Sequence, residues 1–129
     1  MMRIALELAR ENKSYEGLAT KFFEHYVYIG SAMKHMGRGG EEMWDETDGF
    51  FYDVLNYADG RSDRFRVRSL VGLIPMFAIE RLEEDWLAPF PEFRGNLEWF
   101  LHHRKDLVDR CVTTIEEGGK KVQIGRAHV

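Results

Sequence analysis

The chain has 129 residues, 44% of them hydrophobic and 31% charged, with a formal net charge of −4. That length fits one domain with one modest core, and that balance excludes a disordered chain. An acidic total without a clustered positive face speaks against a nucleic-acid partner, and no run approaches the ~18 apolar residues that span a bilayer.

The pattern at the start, "MMRIALELARENK", alternates apolar residues with charges, so it is not a signal peptide. Met2, Ala5, Leu6, Leu8 and Ala9 predict a short amphipathic helix ending near Asn12. Ser14 is a candidate N-cap for a second helix, with Glu16 near its positive end. There Tyr15, Leu18, Ala19, Phe22, Phe23, Tyr26, Val27, Gly30 and Met33 step by three and four into one wide apolar stripe. That helix is expected to stop before Gly37, Gly39 and Gly40.

From Met43 to Arg68 the pattern changes, and rings and β-branched residues flank "NYADGRSD". Asp59-Gly60 is a turn signal, so a two-stranded hairpin is expected, lying on helices because an isolated hairpin is marginal in water. After Ser69, "LVGLIPMFAIERL" is apolar almost all round and predicts a helix buried on most sides, kinked at Pro75. A fourth helix is expected from Pro91, with Phe93, Leu97, Phe100 and Leu101 as its stripe. A last helical piece is expected from Lys105 to about Ile115.

The acidic–aromatic stretch "MWDETDGFFYD" is the strongest candidate for chemistry. One reading is a turn rich in Asp and Gly with its aromatics in the core. The other is a sugar site, because carboxylates accept hydrogen bonds from hydroxyls and aromatic faces pack on pyranoses. In that reading Trp44 and Tyr52 are the platforms, Asp45 and Asp48 the hydroxyl acceptors and Asp53 a weaker third, with Gly49 turning the chain near the ligand. Counted from Asp45, the third and fifth places are Thr47 and Gly49, which breaks the helix–loop–helix calcium pattern. No metal ligand set and no cofactor are expected: His102 and His103 point about 100° apart on a helix, and His25 and His35 meet no carboxylate partner set. Cys111, the single cysteine, has no base beside it, and a lone cysteine fits a reducing, cytoplasmic compartment. The arginines at 61, 64, 66 and 68 read as the solvated face of a strand, with Arg66 or Arg68 pairing to Asp45 or Asp53 as the alternative.

The segments "RIALELA", "YEGLATKFFEHYVYI", "WDETDGFFYDVL", "DGRSDRFRVRSLVGLIPMFAIE" and "FRGNLEWFLHHR" resemble bacterial members of glycoside hydrolase family 63, up to about Lys105. "WDETDGFFYD" and "VRSLVGLIP" are the most specific parts. The resemblance implies a mainly α fold, a slice of an (α/α)6 toroid of about four helices with an inserted β-hairpin. It implies an inverting α-glucosidase-type parent enzyme acting on an oligosaccharide or glucoside, with this segment contributing part of the sugar site. Inverting enzymes hold two carboxyl groups about 6.5–9.5 Å apart, and the family's acid and base are absent from this chain, so no catalytic residue is assigned. Residues 1–123 are then the partial catalytic domain, inactive alone. Residues 124–129, "IGRAHV", match the translation of a sequencing adapter and are expected to be a non-native tail. The alternatives are a helical module for carbohydrate binding or protein association, and a trehalase-like toroid fragment.

Overall fold

The structure is a computed structural model, and it describes residues 1–35, 42–117 and 120–126. Two helices open it, α1 (Met2–Ala9) and α2 (Tyr15–His35). The strand pairs β1 (Trp44–Asp45) with β2 (Phe50–Phe51) and β3 (Asp53–Asn56) with β4 (Ser62–Phe65) come next. A 3₁₀ helix (Leu70–Phe77) leads into β5 (Ile79–Glu83), followed by α3 (Glu84–Leu87), α4 (Pro91–His103) and α5 (Lys105–Cys111). Strands β6 (Val112–Glu117) and β7 (Lys120–Arg126) close the chain, and β7 lies between β5 and β6 in an antiparallel sheet.

The main core follows from helix periodicity. Ala5, Leu6 and Ala9 of α1, Ala19, Phe23 and Val27 of α2, and Phe93, Leu97 and Phe100 of α4 meet in one buried cluster. Phe23 is edge-on to both Phe93 and Phe100, with ring centroids 6.4 and 5.5 Å apart, a favoured aromatic geometry. Leu82 of β5 and Val112 of β6 bring the three-stranded sheet onto the same cluster. Tyr26 fastens α2 to that sheet, its hydroxyl lying 2.5 Å from the Ala78 carbonyl and 2.8 Å from that of Gly125.

The expected fold class is therefore corrected. Three antiparallel sheets accompany the helices, so the architecture is a mixed α and β domain and not a slice of a helical toroid. Two of the errors have clear causes. The helix expected over "LVGLIPMFAIERL" is a 3₁₀ helix with no buried residue, followed by strand β5. Pro75 has no N–H to donate, and the cap at Ala78 closes back on Pro75 with an i→i+3 bond at 3.1 Å. The helical piece expected to reach Ile115 ends at Cys111, where Val112, Thr113, Thr114 and Ile115 form a β-branched run that pairs with β7.

The predicted hairpin is present as β3 and β4, turning at Gly60 with φ +89°, but most of its residues are exposed instead of lying on helices. The glycines expected to end α2 lie outside the described residues. The boundary expected at residue 124 falls inside β7, where Gly125 pairs with Glu80 and Val112; residues 127–129 lie outside the described residues.

Candidate functional site

The Trp44–Phe51 segment is a tight hairpin built around one aspartate. Asp45 Oδ1 accepts the backbone N–H groups of Thr47 and Asp48, both at 3.0 Å. The backbone carbonyl of Asp45 accepts the N–H of Gly49 at 2.8 Å, and Gly49 takes φ +59°, a conformation that glycine adopts without strain. Asp45 Oδ2 meets Arg64 Nη1 and Arg66 Nη2, each at 2.9 Å. The backbone N–H of Asp48, then the charges of Arg66 and Arg64, hold the Asp45 carboxyl below the usual carboxylate range against the opposing effect of desolvation.

Asp45, expected as a hydroxyl acceptor, is 3% exposed here, and both its oxygens are engaged within the chain. Trp44 is not an open platform either. Its ring is buried 4.9 Å from that of Phe51, in a small cluster with Met33, Met43, Met76 and Ala78. The arginine run is not simply a solvated strand face, because Arg64, Arg66 and Arg68 all reach back to the acidic turn. The Arg66–Asp45 pair is the alternative arrangement that the sequence offered.

Asp48, Tyr52 and Arg68 form a second, more accessible cluster. The Tyr52 hydroxyl donates to Asp48 Oδ2 at 2.7 Å and accepts from Arg68 Nε at 3.3 Å. Arg68 Nη2 lies 3.3 Å from Asp48 Oδ1, closing the triangle. Tyr52 and Asp48 hold the Arg68 guanidinium more firmly protonated than usual. The Tyr52 ring itself is buried beside Phe50, centroids 5.1 Å apart, so it lends the cluster its hydroxyl and not an open face. Asp53 is exposed at the start of β3, opposite Phe65.

Tyr52 and Asp53 also line a cleft of about 220 Å³ whose other walls include Met33, Phe51, Gly72 and Pro75. The 3₁₀ helix forms that wall because Gly72 packs against the Phe51 carbonyl and the Phe50 ring, leaving no room for a Cβ. Gly72 is thus a site residue that the sequence did not single out, while Arg68, offered there as a partner of Asp45 or Asp53, meets Asp48 and Tyr52 instead. Gly72 lies in the "LVGLIPMFAIERL" stretch, whose all-round apolar pattern reads as buried helix, and that hid it.

Among the described residues, no group of three or more His, Cys, Asp or Glu side chains is arranged to hold a metal. The His102 and His103 rings are 5.2 Å apart and nearly perpendicular. Asp45, held ionised by its partners, cannot supply a proton near neutral pH. Among the described residues, no helix is long and apolar enough to cross a membrane.

No protein-family profile matches the chain, and no solved structure matches it. The sequence is similar to an uncharacterized protein of Saccharomyces cerevisiae, YMR196W, at 36% identity over 130 aligned positions. The alignment takes in 92% of this chain but spans only 12% of the length of the yeast protein.

Proposed function

We propose that the chain is the sugar-contacting segment of a family 63-like glycoside hydrolase, working in the cytoplasm on an oligosaccharide or α-glucoside. It supplies part of the substrate site, and the acid and base come from other parts of the whole protein. The observation that carries this reading is the Asp48–Tyr52–Arg68 cluster beside the cleft at Tyr52 and Asp53. Carboxylate, phenol and guanidinium together offer donors and acceptors to neighbouring hydroxyls, while an apolar wall suits the C–H face of a pyranose. The segments most specific to the resemblance, "WDETDGFFYD" and "VRSLVGLIP", are those that build the cluster and this wall. A chain matching 12% of its yeast relative leaves ample sequence elsewhere for the two catalytic carboxyl groups.

The test uses the whole parent protein and α-glucoside substrates. Asp48→Asn and Arg68→Ala should each lower kcat/KM about ten-fold, as loss of one charge-assisted hydrogen bond implies. The chain alone should hydrolyse nothing. A whole protein inactive on α-glucosides, or indifferent to both substitutions, overturns the reading.

One observation favours a second reading, a protein-association module. Leu70, Val71, Ile74 and Phe77 are 60–77% exposed on the 3₁₀ helix, and contiguous apolar surface of that kind marks an interaction site. Concentration-dependent self-association in sedimentation, abolished by Phe77→Ser with Leu70→Ser, would support it. A monomer at every concentration, with no sugar-dependent activity in the whole protein, would remove both readings.

A further inference from the structure

We infer that the groove between α2 and α4 is a second binding surface, for the pyranose rings of a neutral oligosaccharide, with Trp99 as its platform. The groove encloses about 350 Å³ and is lined by Gly17, Thr20, Lys21, Glu24, Asn96 and Trp99. It shares no residue with the Asp48 cluster, and it requires no particular reaction of the parent protein.

Three features point to a sugar. The first is the ring. The core-facing stripe of α4 is Phe93, Leu97 and Phe100, whereas Trp99 lies outside it and is 57% exposed. Exposing so large an apolar ring brings the fold no burial. Yet Trp99 is held in place: His103 stacks on it at 4.5 Å and 14°, and His103 Nδ1 lies 2.8 Å from the Trp99 carbonyl. An aromatic plane fixed in advance loses little freedom when a ligand settles on it.

The second feature is the polar rim. Asn96 Nδ2 donates to Thr20 Oγ1 at 3.4 Å, a long bond that a ligand hydroxyl can enter. Lys21 Nζ and Glu24 Oε2 lie 2.9 Å apart, so their charges cancel locally. A neutral rim of amide, hydroxyl and paired charge suits a hydroxyl-rich neutral ligand better than an anionic one.

The third is the opening at Gly17. Glycine inside a helix weakens it, and packing within the chain does not require one here. A Cβ at that position would meet only Glu92 Oε1, at 3.9 Å. Its absence keeps this part of the groove clear.

The experiment titrates the full 129-residue chain with maltoheptaose and with cellohexaose, following the Trp99 indole N–H resonance and tryptophan fluorescence. One of the two sugars should shift the Trp99 resonance. Trp99→Ala should weaken binding at least about ten-fold, and Trp99→Phe less, because a smaller ring remains. Gly17→Leu should weaken binding while leaving Trp99 intact, by filling the groove. Trp99 and Gly17 lie outside the buried core, so Trp99→Ala should melt close to the parent chain and Gly17→Leu no lower than it, since replacing a helical glycine does not weaken the helix. Asp48→Asn should leave the Trp99 response unchanged, which separates this site from the proposed substrate site. No shift with either sugar at about 10 mM, full affinity in Trp99→Ala or Gly17→Leu, or loss of the Trp99 response in Asp48→Asn would each overturn the proposal.

Discussion

Glu16 Oε2 accepts the backbone N–H of Phe93 at 3.0 Å, across 77 residues of sequence. Phe93 is the third residue of α4, where an N–H has no partner inside the helix. Phe90, at the N-cap position, makes no side-chain cap bond, so α2 provides the cap that α4 lacks. Glu16 is 1% exposed and lies 3.4 Å from Lys13 through its other oxygen. Helix order and helix capping are thus one event, and α2 cannot slide along α4 without exposing a donor in the core.

Replacing Glu16 tests that coupling. Glu16→Ala leaves the Phe93 N–H buried without an acceptor and should destabilise the fold by about 1–3 kcal/mol. Glu16→Gln keeps an acceptor oxygen and should lose less. Urea denaturation of the three proteins measures the order, and equal stability of all three would show that the contact contributes nothing.

Asp45 makes the acidic turn a pH-dependent element. Its folded carboxyl lies below the ordinary range, chiefly through the Asp48 N–H and then through Arg66 and Arg64. The unfolded chain therefore takes up the proton first as pH falls. The stabilisation is complete above the unfolded value, about 3.9, and is lost as pH drops through the lower folded value. Melting temperature should fall below about pH 4, and Asp45→Asn should flatten that part of the profile while lowering stability at neutral pH. An unchanged acid limb in the variant would mean that other carboxyl groups control it.

How far the sequence revealed this site depended on the range of the interaction. The stripe of Ala19, Phe23 and Val27 was legible because helix burial repeats every three to four residues, and these are buried. The hairpin at Asp59-Gly60 was legible because its turn chemistry is local. Glu16 reads as an ordinary first-turn carboxylate, and nothing nearby in sequence says that its partner is Phe93. Trp44 and Asp45 are residue types that suit a sugar site and a buried turn equally, and the pairing of Asp45 with Arg64 and Arg66 spans too much sequence to be read locally. Strand β7 went unread, although Gly118-Gly119 between two polar flanks is a hairpin signal in the sequence itself. The 3₁₀ helix misled most: apolar on every side, it reads as buried, yet none of its residues is.

Gly72 is the contact through which that 3₁₀ helix touches the acidic hairpin. A Cβ there would collide with the Phe51 carbonyl oxygen and the Phe50 ring. The obstacle includes backbone, so it cannot swing aside as a flexible side chain would. Gly72→Ala should destabilise by about 1–3 kcal/mol, the usual range for overpacking. It should also push the 3₁₀ helix away from Phe51, raising hydrogen exchange at Phe50 and Phe51. A neutral Gly72→Ala would mean that the two segments do not pack as described.

The last prediction concerns Tyr26, whose hydroxyl joins α2 to Gly125 of β7 and to Ala78, the residue just before β5. Its ring lies against Gly125, where a Cβ would come within 2.8 Å of ring carbon Cε1. Burial first, and the Glu80 charge second, push its phenol up to about 12. The folded value lies above the unfolded one, about 10, so the folded chain retains the proton longer. The associated stability is intact below pH ~10 and is lost as pH rises through ~12. Alkaline unfolding, followed with phenolate absorbance, should therefore show one tyrosine ionising together with loss of the sheet. Tyr26→Phe should remove that step and cost about 1 kcal/mol at neutral pH, the typical net worth of a hydrogen bond. If the variant unfolds at the same alkaline pH with the same absorbance change, the phenol is not what links the helix to the sheet.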